Sequence, residues 1–164
     1  MTGTPPPVVT VRPATPADVE AVWRWRNDPV SRAGSVHTAE VPWADHVAWF
    51  DRVLAAPNRY LLVGLAGPGL AGRAADAPIG VVRFDAENGG YEVSINLAPE
   101  ARGRRLAVPL LRAGAAWLRA QNGAAEVIAL VRDDNAASMR TFLAAGYAPQ
   151  SHHPPWTTLT LSTG

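Results

Sequence analysis

The sequence predicts one α/β domain in which a mixed β-sheet carries helices on both faces. Its 164 residues are about the length of a single domain, and 48% of them are hydrophobic, which is enough for a sizeable core. Strand-like and helix-like segments occur together along the chain, and they alternate in its last part. In addition, a wholly apolar strand, residues 127–131, follows a helical segment. A strand–helix–strand crossover of that kind makes its two strands parallel neighbours.

The first part of the chain predicts one strand and two helices. Residues 8–12 are short and β-branched, and Thr15-Pro16-Ala17-Asp18 then supplies an N-cap, a first-turn proline and a first-turn acid. The helix that begins there should end before Pro29, because a residue preceding proline is disfavoured in helical geometry. An irregular stretch over residues 31–41 then leads to a second helix, residues 42–56.

The middle of the chain predicts three strands. Residues 60–65 and 79–84 are apolar, and the turn Asn88-Gly89-Gly90 favours an antiparallel return into residues 91–97. Although residues 67–72 spell G-x-G-x-x-G, too few residues follow for the helix that a dinucleotide fold needs.

The last part predicts two helices around the apolar strand. They cover residues 106–121 and 136–145, and each is followed closely by a glycine, Gly123 or Gly146. One or two further strands end the chain. The predicted order is β-α-α-β-β-β-α-β-α-β.

The composition excludes several kinds of chemistry. All 15 basic residues are arginines, so neither a Schiff-base lysine nor a P-loop lysine exists. With no cysteine, thiolate nucleophiles and cysteine-based metal sites are also absent. His152-His153 has no acidic or thiol companion at metal-ligand spacing in the sequence, so we expect no metal site. The formal charge of +1 predicts no nucleic-acid partner.

Residues 1–7 are uncharged and proline-rich, so we expect a disordered tail before a domain of residues 8–164. The tail has neither the cationic start nor the apolar core of a secretory signal. No apolar stretch is long enough to span a membrane, and we therefore expect no membrane partner and a cytoplasmic location.

Two neighbouring features predict a binding site. In residues 91–97, the apolar residues alternate with Glu92, Ser94 and Asn96, which places three polar side chains on one face of a strand inside the sheet. The alternative is an antiparallel strand whose polar face meets water. Directly downstream, Arg102, Arg104 and Arg105 surround the start of the next helix. Free N–H groups at a helix start bind phosphate, so we interpret this segment as a pyrophosphate site, with a solvated basic loop as the alternative.

Two segments resemble motifs of the GNAT N-acyltransferase superfamily. Residues 91–107, which contain Arg102-Gly103-Arg104-Arg105-Leu106-Ala107, are similar to its acetyl-CoA-binding motif. Residues 134–147, with a leading Asn135 and a closing Gly146-Tyr147, are similar to its last helix. The element order also agrees, so the resemblance covers residues 8–161.

The resemblance implies where acetyl-CoA binds. It would lie in a V-shaped opening where the fourth strand, residues 91–97, parts from the fifth. Its pantetheine would pair with the backbone at Ile95, Asn96 and Leu97, and the Leu97 N–H would polarise the thioester carbonyl. The pyrophosphate would bind the N–H groups of residues 102–107, and Asn135, with Ser138 as a second candidate, would hold the pantetheine arm.

The sequence departs from the family pattern at two positions. Arg105 stands where the pattern Arg/Gln-x-x-Gly-x-Gly/Ala has its middle glycine, and a positive φ there would cost about 1 kcal/mol. Phe142 stands where many members have a tyrosine that protonates the leaving thiolate. Water or Ser138 would take over that protonation.

The resemblance implies an N-acetyltransferase in which a primary amine attacks acetyl-CoA directly, with Glu92 as the general base. Segments around Trp25-Arg26-Asn27 and His46 are similar to those of sugar-nucleotide N-acetyltransferases and, more loosely, of ribosomal-protein N-terminal acetyltransferases. Trp25, Arg26 and Asn27 would then bind an amino sugar or sugar nucleotide; the alternative is a helix end with a core tryptophan. His37 and His46 could assist proton transfer but more often such histidines are structural.

Other functions stay open at this point. A non-catalytic acyl-CoA-binding module would explain Arg105 and Phe142, and a protein N-terminal acetyltransferase would use the same fold. The partner is expected to be a small-molecule amine, and a homodimer is left open.

Overall fold

Seven strands form one mixed sheet in the computed structural model, which describes residues 8–35, 37–67 and 77–164. Their spatial order is β1-β2-β3-β4-β5-β7-β6. All neighbours are antiparallel except β4 and β5, which are parallel, as the crossover predicts. The strands are β1 Val9–Pro13, β2 Arg59–Ala66, β3 Pro78–Glu87, β4 Gly90–Leu97, β5 Glu126–Arg132, β6 Ala148–His153 and β7 Trp156–Ser162.

Five α-helices accompany these strands in the described part of the chain: α1 Val19–Asn27, α2 Pro29–Ala33, α3 Trp43–Ala55, α4 Ala107–Asn122 and α5 Ala136–Ala144. The prediction that residues 31–41 are irregular is wrong at its start, where α2 lies. Asp28 caps this short helix by accepting hydrogen bonds from the N–H groups of Val30 and Ser31, and Pro29 occupies its first position. The observed order therefore has one more helix than predicted, and it ends with two strands.

The helices lie on both faces of the sheet, as predicted. Helices α4 and α5 pack with Val82, Phe84 and Val127 into one hydrophobic core. Helices α1 and α3 pack with Leu61 and Val81 into a second core on the opposite face. Because side chains alternate along a strand, β4 contributes its apolar residues to the first core and turns its polar residues toward α1 and α3.

The parallel strands β4 and β5 separate along their length. They pair only from Tyr91 opposite Val127 to Val93 opposite Ala129. Beyond that point β4 stays paired with β3 as far as Leu97, and β5 stays paired with β7 as far as Arg132. The predicted opening between the fourth and fifth strands is confirmed.

The predicted tail and most of the G-x-G-x-x-G segment lie outside the described residues. Within them, no helix has both the length and the apolar character needed to cross a lipid bilayer.

Candidate active site

The polar face of β4 is arranged against matching polar residues of β3. Glu92 lies opposite Asp85, and Ser94 lies opposite Arg83. Arg83 donates to the Ser94 hydroxyl at 3.4 Å and, through Nε, to Asp85 Oδ2 at 2.9 Å. All of these side chains are partly exposed. They form a charged floor beneath α1 and α3, next to the opening between the strands.

The backbone of β4 presents unpaired groups to the opening. The Ala98 N–H donates to the carbonyl of Ile79 on β3 at 2.8 Å. Since antiparallel pairing alternates along a strand, Ile95 and Leu97 direct their own N–H and C=O groups to the opposite edge. There β5 has already separated from β4. The opening is therefore lined by a strand edge that can pair with an extended, amide-containing ligand.

Glu92 has the pKa of a general base that works near neutrality. Burial raises its pKa to about 7, and the hydrogen bond and charge of Glu87 and the charge of Asp85 act in the same direction. Arg83 opposes the shift. A carboxyl group with a pKa near the working pH has a proton to lose and enough basicity to gain one, which suits proton transfer from an attacking nucleophile.

The raised pKa of Glu92 predicts a pH-dependent cost to stability. The folded protein holds this proton more tightly than the unfolded chain, so unfolding free energy falls as the pH rises from about 4.5, the unfolded value, to about 7. We expect Glu92→Gln to raise the melting temperature more at pH 8 than at pH 5, measured by scanning calorimetry. The exposed Glu100→Gln is the matched control. An equal difference at both pH values would contradict the prediction.

The start of α4 is preceded by an exposed turn, Gly103 to Arg105. Leu106 is the N-cap and Ala107 the first helical residue, and Pro109 in the first turn has no N–H to donate. Gly103 and Arg105 both have positive φ angles, of 72° and 58°. The strained conformation expected at Arg105 is therefore present.

Arg102 is committed to another role in this structure. Its guanidinium contacts Asp28 Oδ2 at 2.7 Å and donates to Ser31 Oγ at 2.7 Å. Ser31 in turn donates to Asn96 Oδ1 at 2.7 Å. The Arg102 N–H points to the Pro99 carbonyl at 3.3 Å. Arg102 thus ties α2 to the loop and to β4, whereas Gly103, Arg104 and Arg105 are exposed beside it.

Asn135 lies at the other side of the opening. Its Oδ1 caps α5 by accepting from the Ser138 N–H at 3.1 Å. Its amide nitrogen lies against Gly34, where an added Cβ would come within 2.8 Å. The end of α2 therefore meets the start of α5 across the opening.

Phe142 belongs to the core and is only 4% exposed. Its ring packs edge-on against Tyr147, with the ring centres 5.0 Å apart. Position 142 therefore has a structural role here, consistent with the absence of a phenol.

The three residues predicted to bind an acceptor are not brought together. Trp25 is 7% exposed and part of the core, so its ring has no free face for stacking. The Asn27 amide is engaged with Val41, accepting from its N–H at 2.8 Å and donating to its carbonyl at 2.9 Å. Only Arg26 reaches the charged floor, where it lies over the Trp49 ring.

The histidines fall into distinct places. His46 is fully buried among the rings of Trp43, Trp49 and Phe50, and its Nε2 donates to the Val19 carbonyl at 2.8 Å. It is structural. His37 is exposed.

His152 has an acidic neighbour that its sequence surroundings do not show. Its Nε2 lies 2.7 Å from Asp133 Oδ2, which the sheet brings near from a distant part of the chain. No group of three or more candidate metal ligands occurs among the described residues.

Sequence reasoning missed Arg83, Asp85 and Trp49. The alternation of β3 contains a signal for the first two, because Arg83 and Asp85 interrupt its apolar residues at the same spacing as the polar residues of β4. Trp49 has no such signal: it is one of several aromatic residues on α3, and only the packing shows that its ring faces two arginines.

Comparison with solved structures finds the same fold in several acetyltransferases. Spermidine N-acetyltransferase from Vibrio cholerae, in complex with CoA and spermine, superposes with a TM-score of 0.81 at 12% identity, covering 94% of this chain and 95% of the other. AAC(6')-Ib with paromomycin and acetyl-CoA gives 0.75 at 18% identity, covering 93% and 92%. A domain from Methanocaldococcus jannaschii gives 0.77 at 17% identity, covering 95% and 99%. No curated protein matches the sequence.

At these identities the superpositions establish the fold alone, and the sequence itself decides the family. Residues 9–148 match the family described as "Acetyltransferase (GNAT) domain". That match includes the open edge of β4, Glu92 and the turn at the start of α4. The chain is a member of the GNAT acetyltransferase family.

Proposed function

We propose that this protein transfers the acetyl group of acetyl-CoA to a primary amine by direct attack. The observation that carries the proposal is the unpaired edge of β4, where Ile95 and Leu97 direct backbone donors and acceptors into the opening. Pantetheine is an extended chain with two amides, so it can add to this edge as a short strand does. The Leu97 N–H is then placed to polarise the thioester carbonyl.

The turn at the start of α4 supports the pyrophosphate. The N–H groups of the turn and of the first helical residues would donate to the phosphate oxygens. The positive end of the helix dipole stabilises a diphosphate at this place. The side chains of Arg104 and Arg105 are exposed beside it. Because the Arg102 side chain is held by Asp28, we assign the phosphate contacts to the rest of the predicted set, Gly103, Arg104, Arg105, Leu106 and Ala107. Asn135 and Ser138 flank the other side of the opening.

Glu92 removes the proton of the attacking amine, directly or through a water molecule. The nitrogen then attacks the thioester carbon, and the C–S bond breaks to release CoA as a thiolate. A thiol has a pKa of about 8.5, so a thiolate is an acceptable leaving group near neutrality. Water or Ser138 supplies its proton, since position 142 has no phenol. Direct attack needs no acyl-enzyme, and the chain has neither a cysteine nor a lysine to carry the acetyl group.

We further propose an amino sugar or a sugar nucleotide as the acceptor. Arg26 supports this assignment, because it faces the same side of the sheet as Glu92 and can hold a polar acceptor group. Trp25 and Asn27 hold the helix that carries Arg26 and the adjoining loop in place. The spermidine and aminoglycoside enzymes of the same fold make amine acetylation the expected reaction class.

The test is a coupled assay of CoA release. Acetyl-CoA is offered with glucosamine, UDP-glucosamine, spermidine and a peptide with a free N-terminus, and CoA binding is measured separately by calorimetry. CoA binding with turnover of a sugar amine supports the proposal. Binding without turnover of any amine would identify a non-catalytic acyl-CoA-binding module, and turnover of the peptide alone would identify an N-terminal acetyltransferase. Absence of CoA binding would refute both the transferase and the binding module.

A further inference from the structure

Two arginines share one tryptophan on the face of the sheet that carries Glu92. The Arg26 guanidinium lies 4.9 Å from the centre of the Trp49 ring, and that of Arg83 lies 5.3 Å from it. Three separate elements, α1, β3 and α3, supply these residues. We call the three side chains the arginine cluster.

The positive charge of the arginine cluster is not balanced within the described residues. Arg83 pairs with Asp85, but Asp85 is shared with Arg59, which contacts its other oxygen at 2.8 Å. Arg26 is in no ion pair with a carboxylate of the described chain. Burial lowers the pKa of Arg26, and the positive charge of Arg83 acts in the same direction.

The acidic residues nearby do not neutralise the excess positive charge of the arginine cluster. Burial, the hydrogen bond and charge of Glu87 and the charge of Asp85 raise the pKa of Glu92 to about 7, so Glu92 is only partly ionised near neutrality. Two like charges brought together in a partly buried place raise the free energy of the folded protein unless an anion joins them. Such an arrangement is typical of an anion-binding site.

The position of the arginine cluster fits an anion on the acceptor. Arg83 lies one step from Glu92 across the paired strands, since Arg83 faces Ser94 and Asp85 faces Glu92. Diagonal neighbours of this kind are about 7–8 Å apart. When the amine of an acceptor reaches Glu92, a group of the same acceptor that is a few bonds from the amine therefore lies near the arginine cluster.

We propose that the acceptor carries a phosphate close to its amine and that Arg26 binds this phosphate over the face of Trp49. This inference rests on the proposed function and narrows it to a phosphorylated or nucleotide-linked amino sugar. Guanidinium groups suit phosphate because their N–H groups match its oxygens in pairs. Conversely, the cluster repels a polycationic amine such as spermidine.

The experiment compares acceptors that share one amine. Glucosamine, glucosamine 1-phosphate and UDP-glucosamine all carry it at C2, and the last two add a phosphate at C1. We expect kcat/KM to be at least about tenfold higher for the two phosphate-bearing acceptors than for glucosamine, the gain of one charge-assisted hydrogen bond. The ratio between glucosamine 1-phosphate and UDP-glucosamine then shows whether the nucleotide adds to binding.

Three variants test whether Arg26 causes the preference for phosphate-bearing acceptors. Arg26→Gln should remove most of it through a higher KM for the phosphate-bearing acceptors, and Arg26→Lys should retain part of it. The exposed Arg24→Gln, on the same helix, should keep it entirely. A wild-type preference for glucosamine or spermidine, or an equal loss for every acceptor in Arg26→Gln, would overturn the inference.

A binding measurement separates this inference from the proposed function. Glucosamine 1-phosphate is titrated calorimetrically into CoA-saturated wild type and Arg26→Gln. If no amine is acetylated, the proposed function fails, and weaker binding to the variant would still support the anion site. Equal binding, or none to wild type, would refute it.

Discussion

Replacing Glu92 with glutamine is expected to lower kcat/KM for the acceptor by about 10²- to 10⁴-fold near pH 8. The amide has the same shape but cannot take the proton of the attacking amine. Because burial and Glu87 raise the pKa of Glu92 to about 7, wild-type kcat/KM should rise with pH through that value as the carboxyl ionises. The variant should show no rise there, and its activity should increase only as the free amine itself loses its proton.

The wild-type to variant ratio is the decisive quantity. This ratio should grow between pH 6 and pH 8. Below pH 6 the Glu92 carboxyl of the wild type is protonated, so it cannot accept a proton either. Coenzyme A affinity, measured by calorimetry, should stay the same. Glu92 lies on the face of β4 opposite the core that holds α4 and α5, away from the turn that is proposed to bind the pyrophosphate. Glu100→Gln controls for loss of a carboxylate elsewhere. A ratio independent of pH would mean that Glu92 has no role as a base.

The architecture of this site could be predicted where polar and apolar residues alternate regularly in the sequence. The alternation in residues 91–97 predicts which side chains share a face, and the apolar strand after α4 predicts the parallel pairing of β4 and β5. The opening between them required the family resemblance. Nothing in the sequence alone states that pairing stops after Val93, because each strand remains hydrogen-bonded on its outer edge.

The residues predicted to bind the acceptor show where an interpretation based on one short segment fails. Trp25, Arg26 and Asn27 are consecutive, and a helix directs consecutive side chains about 100° apart. One therefore enters the core, one holds a loop, and only Arg26 faces the charged floor. Its partners, Arg83 and Trp49, lie far away in the chain, so their meeting depends on tertiary packing.

Arg102 shows the same limit on the cofactor side. Its place in the motif predicts a phosphate contact, but Asp28 lies within 2.7 Å of its guanidinium. The chain thereby links the loop that precedes α4 with α2, which also reaches Asn96 through Ser31. These contacts join the loop where the cofactor is predicted to bind to the polar face of β4.

The second large effect is expected from Ala107→Asp at the start of α4. A carboxylate there would occupy the N–H groups that are assigned to the pyrophosphate and would repel its charge. We expect the dissociation constant of coenzyme A to rise about 100-fold, the loss of roughly one or two hydrogen bonds to a charged group. Isothermal calorimetry measures this directly.

Folding and binding should respond to Ala107→Asp in different ways. An acid in the first turn of a helix is favourable by about 0.3–1 kcal/mol, so the unfolding free energy of the apoprotein should not fall appreciably. Ala107→Asn has nearly the same size without the charge, and its smaller loss of affinity separates crowding from repulsion. If both variants bind coenzyme A as tightly as the wild type, the pyrophosphate does not lie at this turn, and the placement of acetyl-CoA along β4 loses its second anchor.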